Sequence, residues 1–304
     1  MKSKIIFAIL FLITITGLLG IYYFLPFNEL EFTINQKNYN FTINKSNSLI
    51  EMQFYPNMRY LKKEITYKIY NCSLKKSQDM KDAFNILNNL TILSFKPVLS
   101  NEEISVTCDE KERFNNGMFI AGEGGPTKII RSGIYSIILS GKVLLIRESK
   151  CERPNIALHE LLHALGFKHS KNPENIMYNF TKCKQTLGDD IPTLINRLYS
   201  IESYSDLMFE NVSAIMHGRY LEINLSVRNA GLADSEPSVI EINGNGKLLK
   251  EIKVKSLKIG EGRLIFIKNI WISKTNIQEL NLYINSSEKE LDKENNNLNL
   301  EIKK

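Results

Sequence analysis

An unbroken apolar run opens the chain. From Ile5 to Leu25 no position carries a charge, and Lys2 and Lys4 precede the run. A helix of that length rises about 30 Å, the thickness of a bilayer core. The lysines before it, with Tyr22 and Tyr23 at its far end, predict a transmembrane helix over 1–26, oriented inside to outside. No A-x-A site follows. An uncleaved single-pass anchor in the cell membrane is therefore favoured, with secretion after cleavage as the alternative. Either way the remaining chain is expected outside the cytoplasm.

Beyond the helix the apolar period changes several times. Residues 27–51 are weakly patterned, with alternations such as Phe32 and Ile34, and read as short strands or a juxtamembrane segment. EITYKIY, residues 64–70, alternates as a strand does, and EEISVTC, residues 102–108, predicts a second. Between them Ser77 is expected to cap a helix with Met80, Ala83, Phe84, Leu87 and Leu90 on one face. Gly122, Gly124, Gly125 and Pro126 predict a loop, without the spacing or lysine of a phosphate loop. Leu158, Leu161 and Leu165 fall at i, i+3 and i+7 and predict a helix, with Asn155 as its N-cap. A further helix spans 187–200, with Asp189 and Asp190 at its start and Ile191, Leu194, Ile195 and Leu198 facing inward. Residues 201–208 read as a polar hinge. From about 209 strands dominate: Leu221, Ile223, Leu225 and Val227 alternate, as do Leu280, Leu282 and Ile284. Asn243-Gly244 signals a hairpin turn. This pattern predicts a β-sandwich of about 95 residues.

Composition adds limits. A length of 304 residues suits about two domains, and 43% apolar with 24% charged residues is ordinary globular material. The net charge of +6 comes without an arginine-rich run or aromatic platform, which argues against a nucleic-acid partner. Four cysteines, Cys72, Cys108, Cys151 and Cys183, form no C-x-x-C pair. In an exported chain they predict two disulfides, with 72–108 and 151–183 preferred among three pairings.

The chemistry concentrates in IALHELLHALGFKHS, which holds three of the four histidines. His159 and His163 lie one helical turn apart on one face. Gly166 permits a sharp turn after the helix, so that His169 returns to the same point. Three neutral imidazoles suit one zinc ion with a position left open to water, whose pKa zinc lowers to about 7. Glu160 is placed to take a proton from that water as it attacks a carbonyl and to pass it to the leaving amine. The expected reaction is hydrolysis of a peptide bond, and the expected cofactor is one zinc. The sequence alone says nothing of calcium.

The motif His159-Glu160-x-x-His163-x-x-Gly166-x-x-His169 resembles that of the metzincins, and Met177 follows as their methionine turn does. With Ser170 and Tyr178, the run is most similar to the matrixins. The matrixins usually carry proline after that tyrosine, where this chain has Asn179. The resemblance extends over about 52–203. It implies that Met177, Tyr178 and Gly166 support the zinc site, and that an edge strand within 117–135 receives extended substrate. No cysteine precedes Cys72, so the matrixin cysteine switch is not expected. Val227, Asn229 and Gly231, with Asp292, Glu294, Asn295 and Asn296, resemble CARDB-type adhesion modules.

The expected architecture is thus an α+β zincin (metzincin) catalytic domain plus an all-β Ig-like sandwich, with an N-terminal transmembrane helix. Its parts are the helix over 1–26, a juxtamembrane segment over 27–51, the peptidase over 52–203, a linker over 204–208 and the sandwich over 209–304. The expected function is a membrane-anchored zinc endopeptidase acting on proteins or peptides, its sandwich available to a cell-surface partner. The alternative is an envelope adhesion protein with a structural, non-hydrolytic zinc domain.

Overall fold

The computed structural model describes residues 2–24, 29–34, 52–115, 118–273 and 277–303. The chain divides into two compact units, Phe41–Tyr204 and Met1–Asn40 with Ser205–Lys304. Of the expected juxtamembrane segment, 27–28 and 35–51 lie outside the described residues.

The first unit is built on a six-stranded sheet. Its strands are β2 (Met58–Tyr60), β3 (Glu64–Tyr70), β4 (Ser94–Pro97), β5 (Ile104–Cys108), β8 (Gly122–Ser132) and β9 (Tyr135–Leu145). A small hairpin of β6 (Arg113–Asn115) and β7 (Met118–Ile120) stands apart from it. β3, β4, β5, β9 and β2 pair in parallel, and β8 alone runs antiparallel, along β9. The sheet is therefore mostly parallel and the domain α/β, where the sequence suggested α+β. The cause is helix α2 (Leu74–Leu90), which carries the chain from β3 over to its parallel neighbour β4.

Ser73 caps α2 by accepting a hydrogen bond from the Lys76 amide, so the helix starts a turn before the expected Ser77. Met80, Ala83, Phe84 and Leu87 bury its inner face, whereas Leu90, expected there too, is exposed at the helix's last residue, and the Phe84 ring stacks on Tyr67 and tilts against Phe95. Helix α3 (Asn155–Ala164) lies in the same core, buried along nearly its whole length. Helix α4 (Asp190–Ser200) closes the unit with Ile191, Leu194, Ile195 and Leu198 inward. Cys72 and Cys108 form a disulfide at the adjoining ends of β3 and β5, and Cys151–Cys183 forms the second.

Two local expectations change here. The glycine-rich stretch Gly122–Pro126 is the start of β8, not a loop. A Cβ on Gly124 would stand 2.1 Å from the Glu160 carbonyl oxygen, so only glycine lets this strand pass so close to α3. Pro126 is tolerated because β8 is an edge strand whose outer side needs no donor. Asn155 is the first residue of α3 and not its cap. Its side-chain amide donates to the Lys182 carbonyl at 2.7 Å.

The second unit begins with helix α1 (Lys2–Phe24) and strand β1 (Glu29–Ile34). It continues with β10 (Leu207–His217), β11 (Tyr220–Asn229), β12 (Ser238–Gly244), β13 (Lys247–Val254), β14 (Gly262–Trp271), β15 (Glu279–Asn285) and β16 (Asn297–Ile302). All pairs are antiparallel, in the order β13-β12-β15-β16-β1-β10-β11-β14. An Ig-like β-sandwich over 209–304 was expected, without a strand from the segment that precedes the peptidase. Instead β1 joins the halves into one hydrogen-bonded sheet, with Phe32 paired to Ala214 on one side and Ile302 on the other. The two halves still share one core, since Ile223, Leu225, Ile240, Ile242, Leu280 and Leu282 form a single buried cluster with Phe32. Part of the expected juxtamembrane segment is thus a strand of this domain. The hinge is shorter than expected, because Leu207 is already buried in β10. The β12–β13 turn falls at Asn245-Gly246, with φ of 44° and 74°, and not at Asn243-Gly244. Gly244 stays in the strand, where Leu249 and Ile277 crowd its α-carbon.

Candidate active site

Helix α3 presents His159 and His163 one turn apart, and the chain then reverses at Gly166, whose φ is +95°. Met58 lies beneath that turn and would stand 2.9 Å from a Cβ at position 166. The returning segment is tied to the domain's N-terminal residues: the Phe54 amide donates to the Gly166 carbonyl at 2.9 Å, and the Lys168 amide to Met52 at 3.0 Å. The Phe54 ring stacks on His163, 5.9 Å between centroids.

These supports bring three ring nitrogens together. The Nε2 atom of His163 lies 3.0 Å from that of His159 and 3.1 Å from that of His169. The Nδ1 atom of His159 donates to the Ile176 carbonyl and that of His163 to the Phe167 carbonyl, each at 2.7 Å. A carbonyl only accepts, so each Nδ1 carries the proton and each Nε2 offers a lone pair. Tetrahedral nitrogen ligands around zinc stand about 3.3 Å apart. The three imidazoles therefore fit one such ion.

Burial keeps these rings neutral. It pushes His163 down to about 4, helped by His159, and lowers His159 and His169 as well. Glu160 is pushed the other way, up to about 8, first by burial and then by the neighbouring charge of Glu123. A cation bound beside it opposes that shift.

The methionine segment follows the same logic. Met177 is 1% exposed, and the Asn175 side chain accepts from its amide at 2.8 Å. The Met177 carbonyl accepts from Ser170 at 2.7 Å, which ties the segment to the His169 loop. The Tyr178 amide donates to the Asn175 carbonyl at 3.0 Å, and its ring tilts against Phe180. Asn175 thus holds the loop whose Ile176 carbonyl orients His159.

The histidines and Glu160 open into a cleft of about 1010 Å³. Strand β8 passes along it, and Phe119, Glu123 and Phe180 line it together with the Cys151–Cys183 disulfide. Sequence reasoning singled out the histidines, Glu160 and both disulfides. It missed Phe54, Asn175, Glu123 and the closeness of Gly124, whose only sequence signal was the glycine cluster.

Two family models match the chain. Residues 59–200 match the matrixin family model, and residues 205–300 match the CARDB model. Among solved structures, the chain is similar to the CARDB domain of a Pyrococcus furiosus protein solved with two metal ions. They share 19% identity over 32% of this chain and 88% of that one, with a TM-score of 0.27. It is also similar to β-glucosidase 3B of Thermotoga neapolitana, at 16% identity over 28% and 14% of the two chains and a TM-score of 0.22. One curated relative is the tRNA sulfurtransferase of Blochmanniella pennsylvanica (strain BPEN), 39% identical over 74 residues. That match spans 24% of this chain and only 15% of the relative's length. With its three-histidine cluster inside the matched region, the chain carries a domain of the matrixin zinc metalloendopeptidase family, followed by a CARDB domain.

Proposed function

We propose that the protein is a membrane-anchored endopeptidase in which His159, His163 and His169 hold one zinc ion and Glu160 is the general base. The observation that carries this reading is the convergence of three histidine ring nitrogens beside a buried carboxyl group, with the Nε2 lone pairs of His159 and His163 freed by their Nδ1 hydrogen bonds. A zinc ion held there supplies positive charge that polarises the scissile carbonyl and acidifies water. Glu160 takes the proton of the attacking water and delivers it to the leaving amine. The unpaired edge of β8 offers amides and carbonyls to an extended peptide, and the cleft beside it takes the side chains. Met177, Tyr178 and Gly166 hold the loops that aim the histidines.

The catalytic part comprises residues 52–203, and the sandwich over 209–304, completed by β1, is free to meet a surface partner. Helix α1 supports the anchor: 18 of its residues, Lys4–Ile21, average a hydropathy of 2.4, and none of them is buried among the described residues. Two disulfides suit an oxidising compartment outside the cytoplasm.

The test is zinc content and peptide-library cleavage by the full chain beside its Glu160→Gln variant. One zinc in both proteins and cleavage in the native chain alone is expected. Equal cleavage by the variant overturns the role of Glu160. Zinc without hydrolysis in either protein makes the site structural.

A further inference from the structure

One row of directly paired residues crosses four strands of the second unit. Glu29 of β1 pairs with His217 of β10, His217 with Tyr220 of β11, and Tyr220 with Trp271 of β14. Directly paired residues share a face of the sheet. The side chains agree, since His217 Nδ1 lies 3.1 Å from the Glu29 carboxylate and the Tyr220 and Trp271 rings meet edge-on at 5.3 Å. Arg219, in the β10–β11 turn, lies over the Trp271 ring at 5.7 Å. The face is the outer one: Trp271 is 46% exposed and outside the core cluster.

This row is the end of the sheet where the chain arrives from α1. Five peptide steps separate Phe24, the last residue of α1, from Glu29. They span at most about 17 Å. With strands about 4.8 Å apart, Trp271 lies about 14 Å across the sheet from Glu29. The other end of β10, at Leu207, is where the chain arrives from the matrixin domain. The two ends also differ in chemistry. Asp206, at the far end, has its carboxyl held up to about 6 by burial, with Asp292 and Glu290 adding to the shift. The near end carries indole, phenol and guanidinium side chains, the set that favours the water–lipid interface, where the rings lie among headgroups and the cation meets phosphate.

We infer that the Arg219–Tyr220–Trp271 corner of the CARDB domain seats on the lipid headgroups of the membrane that α1 spans, fixing how the domain stands on it. This rests on the anchor reading given above. The occupant is the bilayer interface because the row is tethered to a helix of bilayer length by so short a segment. Phe266, also exposed on β14, lies five residues further from this end, about 17 Å away, and is placed beyond the headgroup layer.

Trp271 is the only tryptophan in the chain, so its fluorescence reports this corner alone. The full chain is reconstituted into phosphatidylcholine–phosphatidylglycerol vesicles, with and without brominated acyl chains, and floated on a density gradient. The expected result is a floating protein whose emission shifts to the blue, loses most of its intensity to the bromolipid and resists iodide. A Phe266→Trp reporter in a Trp271→Phe background is expected to respond to iodide and not to bromolipid. A chain that floats while Trp271 stays open to iodide and blind to bromolipid overturns the inference and leaves the anchor standing. A chain that does not float overturns the anchor reading and this inference with it. Bromolipid quenching at both positions also overturns it, because the strand would then lie flat on the membrane.

Discussion

Gly124 packs directly on the backbone of Glu160: a Cβ added there would stand 2.1 Å from the Glu160 carbonyl oxygen and 2.9 Å from its α-carbon. Neither partner can yield without moving a strand or the helix that bears two of the histidines. Glycine at this position sets how close β8 comes to Glu160.

Gly124→Ala is therefore expected to destabilise the matrixin domain by roughly 1–3 kcal/mol or more, as overpacked sites do, and to lower zinc affinity. Gly125→Ala, with nothing within 4 Å of its added carbon, is expected to leave both unchanged. Thermal melts and zinc titrations of the two variants check this. Equal melting temperatures would show that the contact is not rigid.

The Glu160 carboxyl gives a pH signature in the metal-free protein. Its pKa is about 8 in the fold against 4.5 for a free side chain, so over that window the folded state keeps a proton the unfolded chain has released. Its contribution to stability is full below pH 4.5 and is lost as pH rises towards 8. The imidazoles act in the opposite sense, and their contribution is lost as pH falls through about 6.5, where unfolded histidine takes up protons. Comparing the native protein with Glu160→Gln, which keeps the imidazoles, isolates the carboxyl, and between pH 6.5 and 8 a loss of about 2 kcal/mol is expected in that difference at 1.36 kcal/mol per unit. Denaturant unfolding after chelation measures it. Glu160→Gln should flatten the slope, and zinc should too, because a cation favours the carboxylate.

The disulfides close chain segments of 36 and 32 residues, so each is expected to add a similar ~2–4 kcal/mol. Their effects on activity should differ. Cys151–Cys183 lines the cleft and joins the segment before α3 to the one after Met177, whereas Cys72–Cys108 joins strand ends. Cys151→Ser with Cys183→Ser should raise KM and broaden the cleavage profile. Cys72→Ser with Cys108→Ser should lower the melting temperature and leave the profile intact. Kinetics on one peptide set, below both melting temperatures, separates the two outcomes.

Arg59 is 1% exposed, and its guanidinium donates to the carbonyls of Leu198 at 2.6 Å, Ile201 at 3.0 Å and Leu61 at 3.2 Å. It also lies over the Tyr199 ring at 4.7 Å. It satisfies the C-terminal carbonyls of α4, which have no partner in their own helix. Arg59→Met leaves them buried and unpaired, at a cost of roughly 3 kcal/mol or more. The denaturation midpoint should fall while zinc stoichiometry in the folded fraction is unchanged.

The sequence by itself determined whatever depends on near neighbours. The three histidines lie within eleven residues, and a helix followed by one glycine turn is enough to bring them together. The faces of α2 and α4 were legible for the same reason, because the 3.6-residue period writes the buried side directly into the chain. Asn245-Gly246 and Asn243-Gly244 show the limit, since both pairs send the same local signal and only the packing of Gly244 against Leu249 and Ile277 selects the turn. Tertiary structure alone decided the strand at Gly122–Pro126, whose glycines carry no period and are explained only by the backbone of Glu160, 36 residues away. It decided too that Phe32 joins a sheet whose other strands begin at Leu207, a pairing across more than 170 residues that no local pattern encodes.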